Sequence, residues 1–253
     1  MKKFIFGLMV LIISLNGNSQ SIFFQRCGTD AANSANPNDN IGVEHNDALY
    51  YLASNYTIPQ LQNVNTLYNA GIQYMNNTYG PNSAPNFSTN FTTSTINNYL
   101  SVLSPSAPPA NSFFTNSAPI SSIGKAFLSQ LLNQIYNQSA ANSGYPNIKS
   151  KIVTWENQIS ALSVTNTEKF ALYAYGSTLR YSLLAWSTNN TFTSSINFNS
   201  QNKKLKWWQW LCVGLMDAGG AIAGATLGGG VGAVVGGAVM SGGTVAVFST
   251  FEP

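Results

Sequence analysis

The feature that most constrains how this chain can fold is a long apolar stretch near its C-terminus, in which glycine recurs at every fourth position. After Asp217, no charged residue follows until Glu252. Residues four apart lie on one face of an α-helix, and glycines on that face let the backbone of another helix approach closely. The glycines of this row are Gly220, Gly224, Gly228, Gly232 and Gly236. The pattern is typical of a helix that packs against another helix inside a membrane.

The same glycines make the segment a poor helix in water. A glycine in a helix interior costs about 1 kcal/mol relative to alanine, and twelve glycines fall between Gly214 and Gly243. In hydrocarbon, every unpaired backbone group costs several kcal/mol, and a helix pairs them all. We therefore expect the segment to be disordered or tucked against the rest of the protein in water, and helical in a bilayer.

Asp217 sets the expected position of the membrane span. In a helix that began at Trp207, this carboxylate would lie about 15 Å deep, at a cost of at least several kcal/mol. As the N-cap it would instead accept the first free backbone N–H groups and stay at the interface. The sequence therefore predicts a single helix over 218–240, with a break at 241–243. The remaining 244–251 would form a strand or an interfacial tail.

A cluster of basic and aromatic residues precedes the glycine segment. Tryptophan and lysine side by side are typical of a membrane interface, where the indole lies at headgroup depth and the ammonium group contacts lipid phosphate. The cluster contains Lys203, Lys204, Lys206, Trp207, Trp208 and Trp210. We interpret 207–253 as a tryptophan-flanked membrane segment, joined to the rest of the chain by a linker over 188–206. Its predicted partners are membrane lipid and a further helix, from a second copy or another protein, on the glycine face.

The middle of the chain, 41–187, predicts an all-α fold. Apolar residues recur there at spacings of three and four, which gives each helix a stripe that must be buried. Thr57 before Pro59, and the Thr165 to Glu168 capping pattern, mark helix starts. We expect a bundle of five or six helices followed by the glycine-rich hydrophobic helix. The proline-rich stretch 82–118 is expected to be mostly loop, which a short helix around 95–103 could interrupt, and 21–40 a flexible leader.

The first twenty residues have the composition of a secretory signal peptide. Lys2 and Lys3 precede an apolar run, 4–15, that is too short to cross a bilayer. We therefore expect export, to the medium or the cell envelope. Because the lysine cluster precedes the span instead of following it, the pattern favours insertion into another membrane after secretion. Without the signal the chain is nearly neutral, which excludes electrostatic binding of nucleic acid.

Two cysteines, Cys27 and Cys212, remain after the expected signal. In an oxidising compartment they could form one disulfide that ties the mature N-terminus to the start of the glycine segment. The alternative is two unrelated thiols. Sequence alone leaves both open.

The sequence contains no legible enzyme site. His45 is the only histidine, and its neighbours Glu44 and Asp47 do not converge with it on one helix, so no metal or cofactor site is expected. His45 more simply fixes the start of a helix through hydrogen bonds. Trp155, Glu156 and Arg180 could form a buried polar contact between two long helices, in a structural role.

Several short stretches resemble segments of uncharacterised, signal-bearing bacterial secreted proteins. The first is a Gly-x-x-His-Asn-x-x-Leu pattern beginning at Gly42; others are Trp155-Glu156, the region beginning at Leu179, and a glycine-rich tail that starts at Asp217-Ala218. The resemblance covers most of the mature chain, but it implies no activity. Separately, the tail resembles the glycine-spaced segments of membrane-active bacteriocins and of envelope proteins.

Two functions follow as hypotheses. In the first, the chain is a secreted, bacteriocin- or toxin-like protein whose glycine segment inserts and associates in a target membrane. In the second, it is an envelope-anchored structural or binding protein that uses the same segment as an anchor. A secreted enzyme has no positive support in the sequence.

Overall fold

A computed structural model of the chain describes residues 30–139, 144–187 and 207–251. Within these ranges the regular elements are all helical, which confirms the predicted all-α fold. The helices are more numerous than expected, because several short ones fill stretches predicted as loop. The signal peptide, the start of the leader, the linker 188–206 and its lysines lie outside the described residues.

In the described ranges, nine α-helices precede the glycine-rich segment. They are α1 (Asn40–Asn55), α2 (Ile58–Leu61), α3 (Val64–Tyr79), α4 (Pro85–Asn90), α5 (Thr93–Leu100), α6 (Asn111–Ser117), α7 (Ser122–Ser139), α8 (Tyr145–Glu156) and α9 (Asn166–Ser187), with a 3₁₀ turn at Ile159–Ala161. The glycine-rich segment forms α10 (Trp207–Phe251).

Helix starts follow local side-chain chemistry, as the sequence predicts. Thr57 and Gln60 form a capping box at α2, and the Asn63 side chain accepts from two backbone N–H groups at the start of α3. At α9 the Glu168 N–H donates to Thr165 Oγ1. The Glu168 carboxylate does not complete that box, because it accepts instead from the backbone and hydroxyl of Ser121.

Helix α10 is bent back on itself into a hairpin. Gly228 (φ −143°, ψ 18°) and Gly229 (φ 59°, ψ −141°) have non-helical backbones and divide it into a first arm, 207–227, and a second arm, 230–251. A positive φ is a conformation that glycine adopts without the steric cost of a Cβ. The prediction of one span over 218–240 is therefore wrong: the helical structure is longer at both ends, and its midpoint is a turn.

The predicted cap and break positions change with the hairpin. Asp217 lies inside the first arm, ten residues after the helix begins, so it is not the N-cap of a helix. The positions 241–243 continue the second arm without a break, and 244–251 is helical instead of strand. The second arm remains helical through these positions because it is packed inside the protein, where unpaired backbone groups would be costly.

The hairpin is the centre of the fold. It packs against α1 to α6 and against α9, most extensively against α9. Helices α7 and α8 form an outer layer that packs on α9 and on each other, and α7 also contacts α6. Helix α9 is consequently buried along most of its length. The bundle and the glycine segment, which the sequence divides into separate regions, therefore share one core.

Parts of the two predicted irregular regions are ordered against this core. Helices α4, α5 and α6 lie in the proline-rich stretch. Each contributes a buried side chain to the core: Phe87 from α4, Ile96 from α5 and Phe114 from α6. Before α1, the segment 30–39 is held by Asn33 and Asn36, whose side chains are nearly fully buried. The structure of these regions is therefore set by the few apolar residues among the prolines and asparagines, which pack into the core.

Candidate membrane-inserting hairpin

The hairpin combines membrane-spanning composition with burial inside the protein. Among the described residues, it contains the one helical segment, Trp208–Thr250, that is long and apolar enough to cross a bilayer, and most of its central window is buried. Length and composition of this kind also suit the core helices of soluble proteins. In the structure the segment is helical and mostly enclosed by the other helices.

The predicted glycine face is the contact surface between the two arms. A Cβ placed on Gly224 would overlap the carbonyl oxygen of Gly232, and one placed on Gly220 would overlap that of Gly236. The reciprocal positions are equally tight, so the two backbones are in direct contact. Close backbone packing by small residues is thus present, but its partner is the other half of the same segment. Association with a second chain through this face would require the arms to separate.

Gly228, the central glycine of the predicted row, has a different role. It lies in the turn, where an added Cβ would come within 2.9 Å of the Cβ atoms of Phe87 on α4 and of Ala84, which precedes that helix. The contacts of the row are symmetric about this position, since 220 faces 236 and 224 faces 232. That symmetry, together with the triplet Gly228-Gly229-Gly230 at its centre, is the sequence signal that could have predicted a hairpin.

Asp217 forms a buried polar cluster with two residues of the surrounding helices. The Ser182 hydroxyl of α9 donates to Asp217 Oδ2, and His45 Nε2 of α1 lies 3.5 Å from the same oxygen. All three side chains are fully buried. The sequence singles out His45 and Asp217 but does not bring the three residues together, because they are far apart in the chain and share no local motif.

This cluster does not have the geometry of a nucleophilic serine site. Ser182 donates to the carboxylate instead of to the imidazole, whose Nδ1 contacts Asn46 Oδ1 at 3.0 Å. Burial lowers the pKa of His45 to about 4, against the opposing effect of hydrogen bonds from the ring to Asn46 and to the backbone of Gly237, so the ring is neutral at pH 7. The cluster ties α1 and α9 to the first arm, and its side chains are buried from solvent. His45 lies within α1 instead of at its start.

The predicted contact between Glu156 and Arg180 is present and extends further than expected. Trp155 does not join it, because its indole N–H donates to the backbone carbonyl of Phe127. Arg180 Nε donates to Glu156 Oε2 at 2.9 Å, and its Nη2 donates to Glu156 Oε1 at 3.0 Å and also contacts Asp39. Asn33 and Asn36 each donate to Glu156 at 2.7 Å. Burial raises the pKa of Glu156, while Arg180 and the two amides oppose that shift. The network joins α8, α9 and the segment before α1.

The base of the hairpin holds the predicted interface residues that the structure describes. Trp208 and Trp210 are partly buried against the core, and Trp208 makes an edge contact with Phe248 of the second arm. Cys212 is a buried free thiol. Cys27, Lys203, Lys204 and Lys206, and the side chain of Trp207, lie outside the described residues. Neither the interface role nor the disulfide is tested by the structure.

Acidic residues of α1 give the protein a testable pH dependence. Burial, and secondarily the Glu44 carboxylate, raise the pKa of Asp47 from 3.8 to about 6. The folded chain therefore binds a proton at pH values where the unfolded chain has lost it, so ionised Asp47 destabilises the fold above about pH 6. We expect Asp47→Asn to raise the free energy of unfolding at pH 7 by about 1–2 kcal/mol, allowing for solvent screening.

The gain should disappear as the pH falls towards 4, where Asp47 is protonated in the folded chain. Urea denaturation of the two proteins at several pH values measures it as a difference, so that titration of His45 and other groups largely cancels. The exposed Asp30 provides the control, since Asp30→Asn should change stability little at any of these pH values. A gain from Asp47→Asn that persists at pH 4 would contradict the assigned cause.

We next looked for a metal site and for similar proteins. No three His, Cys, Asp or Glu side chains among them lie close enough together to hold a metal ion. The chain matches no family model, and comparison with curated proteins and with solved structures finds no similar one. The buried hairpin is thus the most distinctive feature on which a functional argument can be built.

Proposed function

We propose that the protein is a secreted, membrane-active protein of the bacteriocin- or toxin-like kind, whose hairpin leaves the helical body and enters a target bilayer. The observation that carries this proposal is that a segment of membrane-spanning composition forms the centre of the protein. Storage of this kind keeps the segment away from water during transit. A bilayer then offers it a second apolar environment, so burial of its apolar surface is retained on transfer.

The dimensions of the two arms suit a bilayer. Each arm has about twenty residues, and at 1.5 Å per residue it is about 30 Å long, which matches the hydrocarbon core of a typical bilayer. Across 207–251 the chain has no lysine, arginine or glutamate, and Asp217 is its single acidic residue. A two-helix span therefore replaces the single span predicted from the sequence.

The interface between the arms is already of the kind that is stable in hydrocarbon. Lipid tails supply no hydrophobic driving force between helices, so close packing of small residues becomes the main source of association. The contacts of Gly220 with Gly236, and of Gly224 with Gly232, lie within the hairpin. The hairpin can consequently move as one packed unit, and its glycine backbones stay covered throughout the transfer.

Asp217 is the principal cost of this transfer. It lies near the middle of the first arm and would enter the hydrocarbon without Ser182 and His45, its partners in the helical body. An acidic residue at the centre of a spanning helix costs about 2.5–3.5 kcal/mol on insertion scales. That cost is modest beside the burial of two apolar arms, but it favours the stored state in the absence of a membrane.

The helices that pack around the hairpin are amphipathic. On α3, Leu67, Ala70 and Met75 face the core, whereas Asn69 and Gln73 are exposed. When the hairpin leaves, such apolar faces lose their cover. An amphipathic helix can cover its apolar face again by lying in the membrane interface. The energetic requirement is therefore a nearby bilayer, which supplies an environment for the hairpin and for its former neighbours.

The direct test is dye release from vesicles of phosphatidylethanolamine and phosphatidylglycerol. We expect the purified chain to release the trapped dye at micromolar concentration, because an inserted hairpin disturbs the lipid packing around it. Intact vesicles would count heavily against a membrane-permeabilising role. Fractionation of the producing cells separates the alternative function: a toxin-like protein collects in the medium, whereas an envelope-anchored structural or binding protein collects with the membranes.

A further inference from the structure

We infer that the turn between the arms, 227–231, enters the bilayer first and ends on its far side, while the chain before Trp207 and after Phe251 stays on the near side. The inference rests on the proposed function and adds a direction and a final topology to it. It names the surface that meets the lipid and the parts of the chain that do not cross. Three properties of the hairpin support it.

The first property is the distribution of charge at the two ends of the hairpin. The base is flanked by Lys203, Lys204 and Lys206 on one side and by Glu252 on the other. The turn, in contrast, consists of one leucine, three glycines and one valine. Each charge carried to the bilayer centre costs at least about 2.5–3.5 kcal/mol, so moving the base across would be far more costly than moving the turn.

The second property is the backbone of the turn. Gly228 and Gly229 leave the helical conformation, so some of the backbone N–H and C=O groups around them lack helical partners. Unpaired backbone groups cost several kcal/mol each in hydrocarbon, and the turn is therefore unstable at the centre of a bilayer. Arms of about 30 Å carry it through to the opposite headgroup region, where water pairs these groups again.

The third property is exposure in the stored state. The turn is the least buried part of the hairpin between its two ends: Gly229 is exposed, and its neighbours are half-buried. An added Cβ at Gly229 would meet no atom within 4 Å, and at Gly230 only the Phe170 ring at 3.9 Å. Cover comes mainly from Phe87 of the short helix α4, which packs against Gly228. The turn can thus contact lipid before the core opens.

The topology can be tested with biotin attached to single cysteines and streptavidin trapped inside the vesicles. The full chain, with Cys27 and Cys212 replaced by alanine, receives Gly230→Cys at the turn or Ser249→Cys at the exposed base of the second arm. Streptavidin is too large to pass through a small membrane lesion. We expect trapped streptavidin to bind the turn biotin, and streptavidin added outside to bind the base biotin.

Two outcomes would overturn this inference while leaving the proposed function in place. The turn biotin could bind only external streptavidin while dye is released, which would mean that the turn does not cross. It could also be closed to both, which would place the turn inside the hydrocarbon. Failure of the unlabelled chain to release dye would instead contradict the proposed function itself.

A pair of charge variants provides a second measurement that does not depend on a label. Gly230→Lys places a charge on the part that must cross, at a position with room for a side chain. Ser249→Lys places the same charge at the base. We expect the rate of dye release to fall at least tenfold for Gly230→Lys and less than twofold for Ser249→Lys. Equal effects of the two variants would contradict a leading turn.

Discussion

Gly224→Val is expected to lower the free energy of unfolding by about 3 kcal/mol or more, at the upper end of the effects of overpacking a protein core. A Cβ at this position overlaps the carbonyl oxygen and carbon of Gly232, which are backbone atoms and cannot turn aside as a side chain can. The arms must therefore separate, and the dense packing around them resists that movement. Urea denaturation followed by circular dichroism measures the change.

The matched control is Gly230→Ala, in the same segment and at the start of the second arm. Its Cβ would meet only Phe170, at 3.9 Å, which is ordinary contact. Alanine is a better helix former than glycine by about 1 kcal/mol, so this variant should be at least as stable as the parent chain. If both variants changed stability by the same amount, contact between the arms would not be what Gly224 provides.

Arg180→Met is expected to lower the free energy of unfolding by about 3–5 kcal/mol, the usual cost of removing one partner from a buried ion pair. Arg180 and Glu156 are both fully buried, so the remaining carboxylate would lose its cation without access to water. Asn33 and Asn36 would still donate to it, but neither carries a charge. This loss of stability should exceed that caused by replacing a buried residue that has no ion-pair partner with methionine.

A double-mutant cycle separates the pair from the packing around it. Arg180→Met with Glu156→Leu should destabilise the protein by less than the sum of the two single variants, with a difference of about 0.5–3 kcal/mol. Lys169→Met on the same helix is the control, because that side chain is only half-buried and donates to the carbonyl of the exposed Ser160, so its loss should matter by about 1 kcal/mol or less. Strict additivity of Arg180 and Glu156 would show that the ion pair contributes no coupling.

The helical body was largely predictable because its signals are local. Capping residues such as Thr57 and Thr165 act within one turn of helix, and apolar spacing of three and four marks the buried faces of α1, α3, α7, α8 and α9. Of the short helices, α5 was expected near its observed position, whereas α4 and α6 were missed because prolines and polar residues dominate their sequence. The large buried side chains of these helices, such as Phe87, become informative only when the partner surface is known.

The sequence predicted that this segment is an apolar helix with close glycine packing, but not that it folds into a hairpin. A single span and a capped Asp217 follow when the segment is considered alone, because an interior carboxylate is costly in a bilayer. Inside the protein, Ser182 and His45 surround that carboxylate, and these contacts join residues that lie far apart in the sequence. The glycine row correctly predicted close helix packing. The partner of these glycines is the other half of the same row. That pairing could not be predicted without recognising the turn at Gly228-Gly229.

The central claim, that the hairpin must leave the helical body to act, can be tested by locking it in place. The Cβ of Val239, on the second arm, lies 3.9 Å from an ideal Cβ on Gly71 of α3, close to the separation of about 3.8 Å found in disulfides. Gly71→Cys with Val239→Cys, in a chain whose Cys27 and Cys212 are replaced by alanine, should therefore form a reversible clamp. The single variant Val239→Cys is the control for the effect of the reductant.

The measurement is the rate of dye release from vesicles before and after reduction of the clamp. The oxidised protein should leave vesicles intact, and addition of a reductant should restore release to the rate of the control. Release by the oxidised clamp as fast as by the reduced one would contradict the account, because the hairpin would then act without leaving the position that it occupies in the structure.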